Sequence, residues 1–167
     1  FENGGIIDLN RNYFGAGTRL NYKHEEHRWQ IGLENSQQQD QRDRYLNVMG
    51  IQGARSFSQL ESFRNFGIYI LDEVKWNNLL LRTSLRYDDS RLGADSVSED
   101  QIYQVLNPSI GLSYEILDNH RLFGNFSSSF ETPTLSELSS NPTGKEGLNL
   151  DLDPSKATNF ELGWKGL

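Results

Sequence analysis

Histidine and carboxylate side chains that could do chemistry stand together at one point of the sequence, His24-Glu25-Glu26-His27. Imidazole and carboxylate groups ligate zinc, but the zinc-protease pattern needs two histidines four residues apart on a helix. Here they are three apart, between two stretches of alternating polarity, so a solvated turn is predicted. Asp72 and Glu73 are another acidic pair, and no enclosing apolar residues accompany them to build an acid–base site.

The remaining residues supply no part of a catalytic site, since no serine stands in a nucleophile elbow and no glycine-rich phosphate loop follows a strand. We predict a protein that is not an enzyme and has no catalytic residues, metal ligands or cofactor. Basic and aromatic residues do occur together in the polar stretch 37–65, where they could capture an anionic chelate. A solvated loop without a ligand explains them equally well. The candidate ligand-binding residues are Arg42, Arg44, Tyr45, Arg55 and Phe57.

Composition excludes several classes of protein. The 167 residues carry 16 Lys and Arg against 23 Asp and Glu, a formal net charge of −7, which argues against a nucleic-acid partner. There is no cysteine, so neither disulfides nor thiolate metal clusters can form. The longest apolar runs are far below the roughly 18 residues of a membrane helix.

Alternation of apolar and polar residues is the dominant pattern and predicts β-strands. In 106–116, for example, leucine, isoleucine and tyrosine alternate with serine, glycine and glutamate. The stretch 66–75 is apolar at both phases, so its register stays open. Seven such stretches of about 9 to 11 residues, long enough for a tilted strand to cross a bilayer, are 14–24, 28–36, 66–75, 79–89, 106–116, 121–130 and 157–166.

The connections between these stretches alternate in length. Three are turns of three or four residues, whereas 37–65, 90–105 and 131–156 are long and polar. Short turns at one end and long loops at the other are typical of outer-membrane barrels, with the turns in the periplasm and the loops outside. We predict an all-β, antiparallel up-and-down meander of about seven strands. A soluble sandwich with one solvated face remains an alternative.

The alternation also predicts which face would contact lipid. Tyr22, Trp29 and Trp76 lie beside the short turns, where amphipathic rings would mark one membrane interface. Tyr13, Tyr87 and Phe130 are expected at the other. The predicted lipid-facing residues are Trp29, Ile31, Leu33, Leu81, Leu85, Ile110, Leu112, Phe160 and Leu162.

The last third of the chain carries a recognisable order of motifs. A Thr-Pro-Thr-Leu-Ser-Glu-Leu turn is followed by an Asn-to-Pro segment and then by a strand ending in Glu-Leu-Gly. This order resembles the late barrel region of TonB-dependent outer-membrane receptors, although Glu131 and Ser155 depart from the family's commonest residues. Thr134 to Glu137 also fits a capping box, which predicts a short helix. The motif positions are Thr132, Pro133, Thr134, Glu137, Leu138, Asn149, Pro154, Glu161 and Gly163.

The resemblance implies a fold and a function. Residues 1–167 would be part of the barrel domain of a siderophore-receptor-like protein whose complete barrel has about 22 strands. The plug domain lies outside these residues, and the opening on Phe1 also suggests a piece of a larger protein. Such a receptor lies in the outer membrane of a Gram-negative bacterium, contacts lipid and its own plug, and imports a small ligand, most often an iron chelate, with energy from TonB. The rivals are a smaller structural or adhesive barrel and a soluble sugar-binding sandwich.

Overall fold

Strands make up most of the computed structural model, which describes residues 5–139, 148–149 and 151–166. Within these ranges one short helix, α1 (Leu135–Leu138), follows the sixth strand. None of the described helical residues forms a helix long and apolar enough to cross a membrane. The strands are β1 (Ile6–His24), β2 (His27–Val48), β3 (Ile51–Trp76), β4 (Leu79–Ala94), β5 (Gln101–Leu117), β6 (His120–Glu131) and β7 (Ser155–Gly166).

All seven strands form one antiparallel sheet whose strand order follows the sequence. The predicted all-β meander is therefore confirmed. Within the described ranges no second sheet packs on the first, so the sandwich alternative is wrong. Among the described strands the sheet is not closed, since β1 and β7 each have a partner on one side only.

Two-residue turns join the strands at one end of the sheet. They are Glu25–Glu26, Asn77–Asn78 and Asp118–Asn119, each shorter than predicted. One residue of each turn has positive φ: 51° for Glu25, 47° for Asn77 and 65° for Asn119. Asparagine tolerates this left-handed region better than most residues, which suits it to tight hairpins.

The long polar loop predicted over 37–65 is wrong, because this stretch is mostly strand. β2 and β3 stay paired up to Val48 and Ile51, and only Met49 and Gly50 form the turn. Likewise β4 and β5 extend into the predicted loop 90–105 and leave only 95–100 between them. The extensions carry polar residues on both faces, so no alternation marks them as strands.

Register places all nine predicted lipid-facing residues on one face, which we call the outer face. Leu85, for example, lies opposite Ile70 on β3 and Pro108 on β5. The open register of 66–75 is also resolved, because Ile68 and Ile70 pair with outer-face residues of both neighbouring strands. Tyr87 and Phe130 share this face, whereas Tyr13 lies on the other, because it is out of phase with Phe14.

The opposite, inner face is polar and charged. Across the middle of the sheet, Arg86 Nη1 pairs with Glu34 over 2.8 Å, and its guanidinium lies 5.9 Å from the ring centre of Tyr69. The Tyr69 ring packs closely against Gly32, where an added Cβ would come within 2.3 Å of it. Only glycine permits this close approach of ring and backbone.

Candidate ligand-binding site

The segment after β6 folds back onto the inner face at the end away from the two-residue turns. Leu135 and Leu138 of α1 are buried, and they pack with Leu92, Tyr103 and Leu148 in a small apolar core. Burying these side chains gains roughly 1.5–3 kcal/mol each against full exposure. This core fixes residues 132–139, called here the docked segment, against the strands.

The predicted capping box at the start of α1 is present. Thr134 Oγ1 accepts a hydrogen bond from the Glu137 backbone N–H at 3.2 Å, and the Glu137 carboxylate accepts one from the Thr134 N–H at 2.8 Å. That backbone hydrogen bond, with a second from the Thr134 hydroxyl, lowers the pKa of Glu137 below its usual range. The two residues thus satisfy amide groups that a helix leaves free at its start.

Glu61 of β3 ties the docked segment to the sheet. Its side chain is fully buried and accepts hydrogen bonds from Arg42 Nε at 2.7 Å and Arg42 Nη2 at 3.0 Å. Gln59 Nε2 and Ser139 Oγ also donate to it, and Arg42 Nη2 reaches Ser136 Oγ at 3.1 Å. The buried charges are therefore paired and hydrogen-bonded, as burial requires.

A second buried carboxylate stands beside this pair. Asp40 is fully buried and accepts two hydrogen bonds from Arg11, one from Nε at 2.8 Å and one from Nη2 at 2.6 Å. Sequence reasoning missed Arg11, Asp40 and Glu61, because only the register of β1, β2 and β3 brings them together. Arg42, predicted to bind a ligand, instead holds this region together, and any ligand role would require its ion pair with Glu61 to open.

Arg44 stands next to the docked segment, and one nitrogen of its guanidinium has no hydrogen-bond partner among the described residues. Its Cζ lies 5.0 Å from the ring centre of Phe57, and Nη2 donates weakly to the Ser139 carbonyl at 3.4 Å. Arg44 Nε is buried and has no hydrogen-bond partner among the described residues. Ile7, opposite Arg44 on β1, is exposed on the same face. A cation, a ring and an apolar side chain therefore meet at one point.

The other predicted ligand-binding residues lie elsewhere. Tyr45 follows Arg44 along the strand and therefore faces the other way, opposite Arg55 in the register. Arg55 is exposed, and its Nη1 lies 3.7 Å from the Asp43 carboxylate. The structure thus brings Arg44 and Phe57 together on the inner face, with Arg42 beside them. Tyr45 and Arg55 lie on the outer face, away from these three. Because successive side chains of a strand point to opposite faces, the alternation along β2 could have separated Arg42 and Arg44 from Tyr45.

Motif residues near the C-terminus also have structural partners. The Asn149 N–H donates to the Leu138 carbonyl at 2.7 Å, and Glu161 accepts from Asn125 Nδ2 at 3.2 Å on the inner face. Gly163 lies under the ring of Phe123, where a Cβ would come within 2.3 Å. The first contact links Asn149 to the docked segment, and the other two hold the second half of β7 against β6.

The histidines of the first turn are apart from this site. His27 Nδ1 lies 2.8 Å from Asp72 Oδ2, on the outer face near the two-residue turns. His24 Nε2 lies 4.0 Å from Glu25. In the described part of the chain, no group of three or more histidines and carboxylates could hold a metal ion.

A single sheet in sequence order, apolar on one face and charged on the other, is typical of part of the wall of a transmembrane β-barrel of the outer-membrane type. The chain belongs to the TonB-dependent receptor-like β-barrel family, whose family model matches residues 2–167. Proteins of this family are in the outer membrane of Gram-negative bacteria, and that is the location of this chain.

Individual relatives are similar to this chain over part of their length. The vitamin B12 transporter BtuB of Vibrio vulnificus (strain CMCP6) is 27% identical over 106 residues, which are 64% of this chain and 15% of that protein. The copper transporter OprC superposes with a TM-score of 0.79 at 13% identity, over 98% of this chain and 29% of the other. The ferric citrate transporter FecA gives 0.73 at 18%, over 96% and 26%. The chain thus spans less than a third of these proteins.

Proposed function

We propose that this chain is part of an outer-membrane receptor that binds a scarce nutrient, an iron chelate of the ferric siderophore type, and imports it into the periplasm with energy supplied through TonB. Membership of the family and relatives named as vitamin B12, copper and ferric citrate transporters support nutrient import. The observation that favours an anionic chelate is Arg44, whose guanidinium lies beside Phe57 and whose Nε has no hydrogen-bond partner among the described residues.

The chemistry of Arg44 suits such a ligand. A guanidinium is always charged, donates several hydrogen bonds in a plane and stacks on flat groups. Phe57 and Ile7 add apolar surface for the organic part of a chelate. Carboxylate or phenolate oxygens of the chelate would accept hydrogen bonds from the guanidinium, and an oxygen that reached the buried Nε would satisfy a donor that no described residue satisfies. Import of this kind involves no covalent step.

The rest of the proposed receptor lies outside this chain. We propose that residues 1–167 are one part of a barrel of about 22 strands and that a separate plug domain fills it. The polar inner face, with groups such as Arg86 and Glu34, suits contact with a hydrated plug rather than with lipid. TonB would act through the plug, so this chain contributes part of the barrel wall and part of the ligand site.

Binding by the full-length receptor tests the proposal. A strain lacking the receptor gene, grown under iron limitation, is first screened for the ferric siderophore whose use it has lost. The Arg44→Ala variant should then bind that chelate about tenfold more weakly, the loss expected for one charge-assisted hydrogen bond.

The matched control is Arg55→Ala, which removes the same charge from the same hairpin on the other face. It should bind as the wild type does. Unchanged growth on every iron chelate would contradict the iron proposal. An equal loss at Arg44 and Arg55 would contradict the assignment of the site.

A further inference from the structure

Two arginines face each other on the outer face of the sheet. Arg64 of β3 lies directly opposite Arg91 of β4, and both side chains are exposed. Like charges directly opposed across two strands destabilise a sheet. Arg91 is partly neutralised, because its Nε donates to Asp89 at 2.8 Å and Asp100 also attracts it.

Arg64 lacks such a partner. Over the described ranges its side chain makes neither an ion pair nor a hydrogen bond. Asp89 lies diagonally across from it, but both carboxylate oxygens are occupied, Oδ1 by Arg91 and Oδ2 by Gln104 Nε2 at 2.8 Å. The outer face therefore carries an unmatched positive charge at this point.

The pair lies one membrane thickness away from the two-residue turns. Trp76 ends β3 next to a turn, and Arg64 is twelve residues back along the same strand. At about 3.3 Å per residue and a tilt of about 45°, this spans about 28 Å, close to the thickness of a bilayer's hydrocarbon core. With Trp76 at one interface, Arg64 and Arg91 reach the headgroups of the opposite leaflet.

The neighbours of the pair suit a lipid. Register aligns Phe14, Gln37, Arg64, Arg91 and Ile102 in one row across five strands of the outer face. Phe14 is 68% exposed and Ile102 is 49% exposed, so apolar surface flanks the charges on both sides. Acyl chains could pack on these side chains, while the arginines meet a group at headgroup level.

We propose that Arg64 and Arg91 together bind a phosphate group of a phosphorylated lipid headgroup, in the leaflet opposite the two-residue turns. Guanidinium groups bind phosphate through paired hydrogen bonds, and a dianion between two arginines replaces their repulsion with attraction. With the turns in the periplasm, this is the outer leaflet. The inference rests on the membrane location and does not depend on which nutrient is transported.

Lipid retention by the full-length receptor tests the site. The probes are lipid A with two phosphates and dephosphorylated lipid A, added to lipid-free receptor in detergent and counted by native mass spectrometry. The wild type should retain the phosphorylated form in preference. The double variant Arg64→Gln/Arg91→Gln should bind it about tenfold more weakly and lose the preference.

The control is Arg19→Gln/Arg121→Gln, which makes the same change in net charge on the inner face and should retain lipid A as the wild type does. Inorganic phosphate at equal concentration should not displace the lipid, because the acyl chains add to binding. Equal retention of both lipid forms by the wild type would overturn the proposal. So would an equal loss in the control, or complete displacement by inorganic phosphate.

Thermal unfolding gives a second readout, because the difference in Tm between Arg64→Gln and the wild type should change sign when phosphorylated lipid A is added. In detergent alone, Arg64→Gln removes a like-charge repulsion, so its Tm should equal or exceed that of the wild type. With phosphorylated lipid A present, only the wild type gains the full stabilisation that binding provides, and the variant should melt at the lower temperature. A variant that is less stable by the same margin in both conditions would contradict a lipid site.

Discussion

Replacing Glu61 with alanine should destabilise the end of the sheet that holds the docked segment by about 3–5 kcal/mol. This is the cost of leaving a buried charge without its partner. Arg42 would keep its buried guanidinium but lose the carboxylate that accepts two of its hydrogen bonds. Ser139 would lose its acceptor on the sheet as well. The measurement is hydrogen exchange in the full-length receptor, where amides of the docked segment should exchange much faster than in the wild type.

Two further variants distinguish the cost of an unpaired buried charge from the cost of a general loss of packing. Glu34→Ala removes a carboxylate that is half exposed and paired with Arg86, so it should cost only about 0–1 kcal/mol. The double variant Glu61→Leu/Arg42→Met removes both buried charges and should recover much of the lost stability. Equal exchange in Glu61→Ala and Glu34→Ala would contradict the role of Glu61.

Replacing Leu85 with arginine should destabilise the membrane-embedded receptor by about 2–4 kcal/mol, the cost of a cation near the bilayer midplane on the lipid face. Leu85 lies between Ile70 and Pro108 in the middle of the apolar outer face. The measurement is denaturant unfolding of the receptor refolded in lipid vesicles.

The matched substitution is Gln30→Arg, which adds the same side chain on the inner face. Gln30 donates to Asn21 Oδ1 at 2.8 Å, beside a polar wall that can hydrate a guanidinium. Its cost should stay within about 1 kcal/mol, as for most surface substitutions. Similar losses for Leu85→Arg and Gln30→Arg would mean that the two faces were assigned wrongly.

Sequence alone predicted the part of the fold that lies in the membrane. Between the turns and the middle of the sheet, one face must be apolar and the other polar, so alternation is visible, as in 106–116. Beyond the bilayer no such requirement holds, and the paired extensions of β2 and β3 have the composition of a loop. In β3, Ile68 and Tyr69 are both apolar enough to face lipid, and only the neighbouring strands decide between them.

The candidate site was predictable in residue types but not in arrangement. A cluster of arginine and aromatic residues predicted anion binding, and this stays a prediction. The structure places Arg44 beside the Phe57 ring. Arg42 and Glu61 are nineteen residues apart in the sequence, and only the register of β2 against β3 brings them together. The docked segment that covers them lies more than ninety residues after Arg42. Neither distance leaves a local signal in the sequence.

Spin-label accessibility shows directly whether the sheet has one face toward lipid and the other toward the lumen. Labels are placed one at a time at positions 79–89 of β4 in the full-length receptor, reconstituted in lipid. Accessibility to oxygen, which concentrates in the bilayer, should peak at the odd positions, including Leu81 and Leu85. Accessibility to a water-soluble nickel chelate should peak at the even positions. Loss of this two-residue alternation, or its reversal, would mean that the outer face of the sheet does not contact lipid.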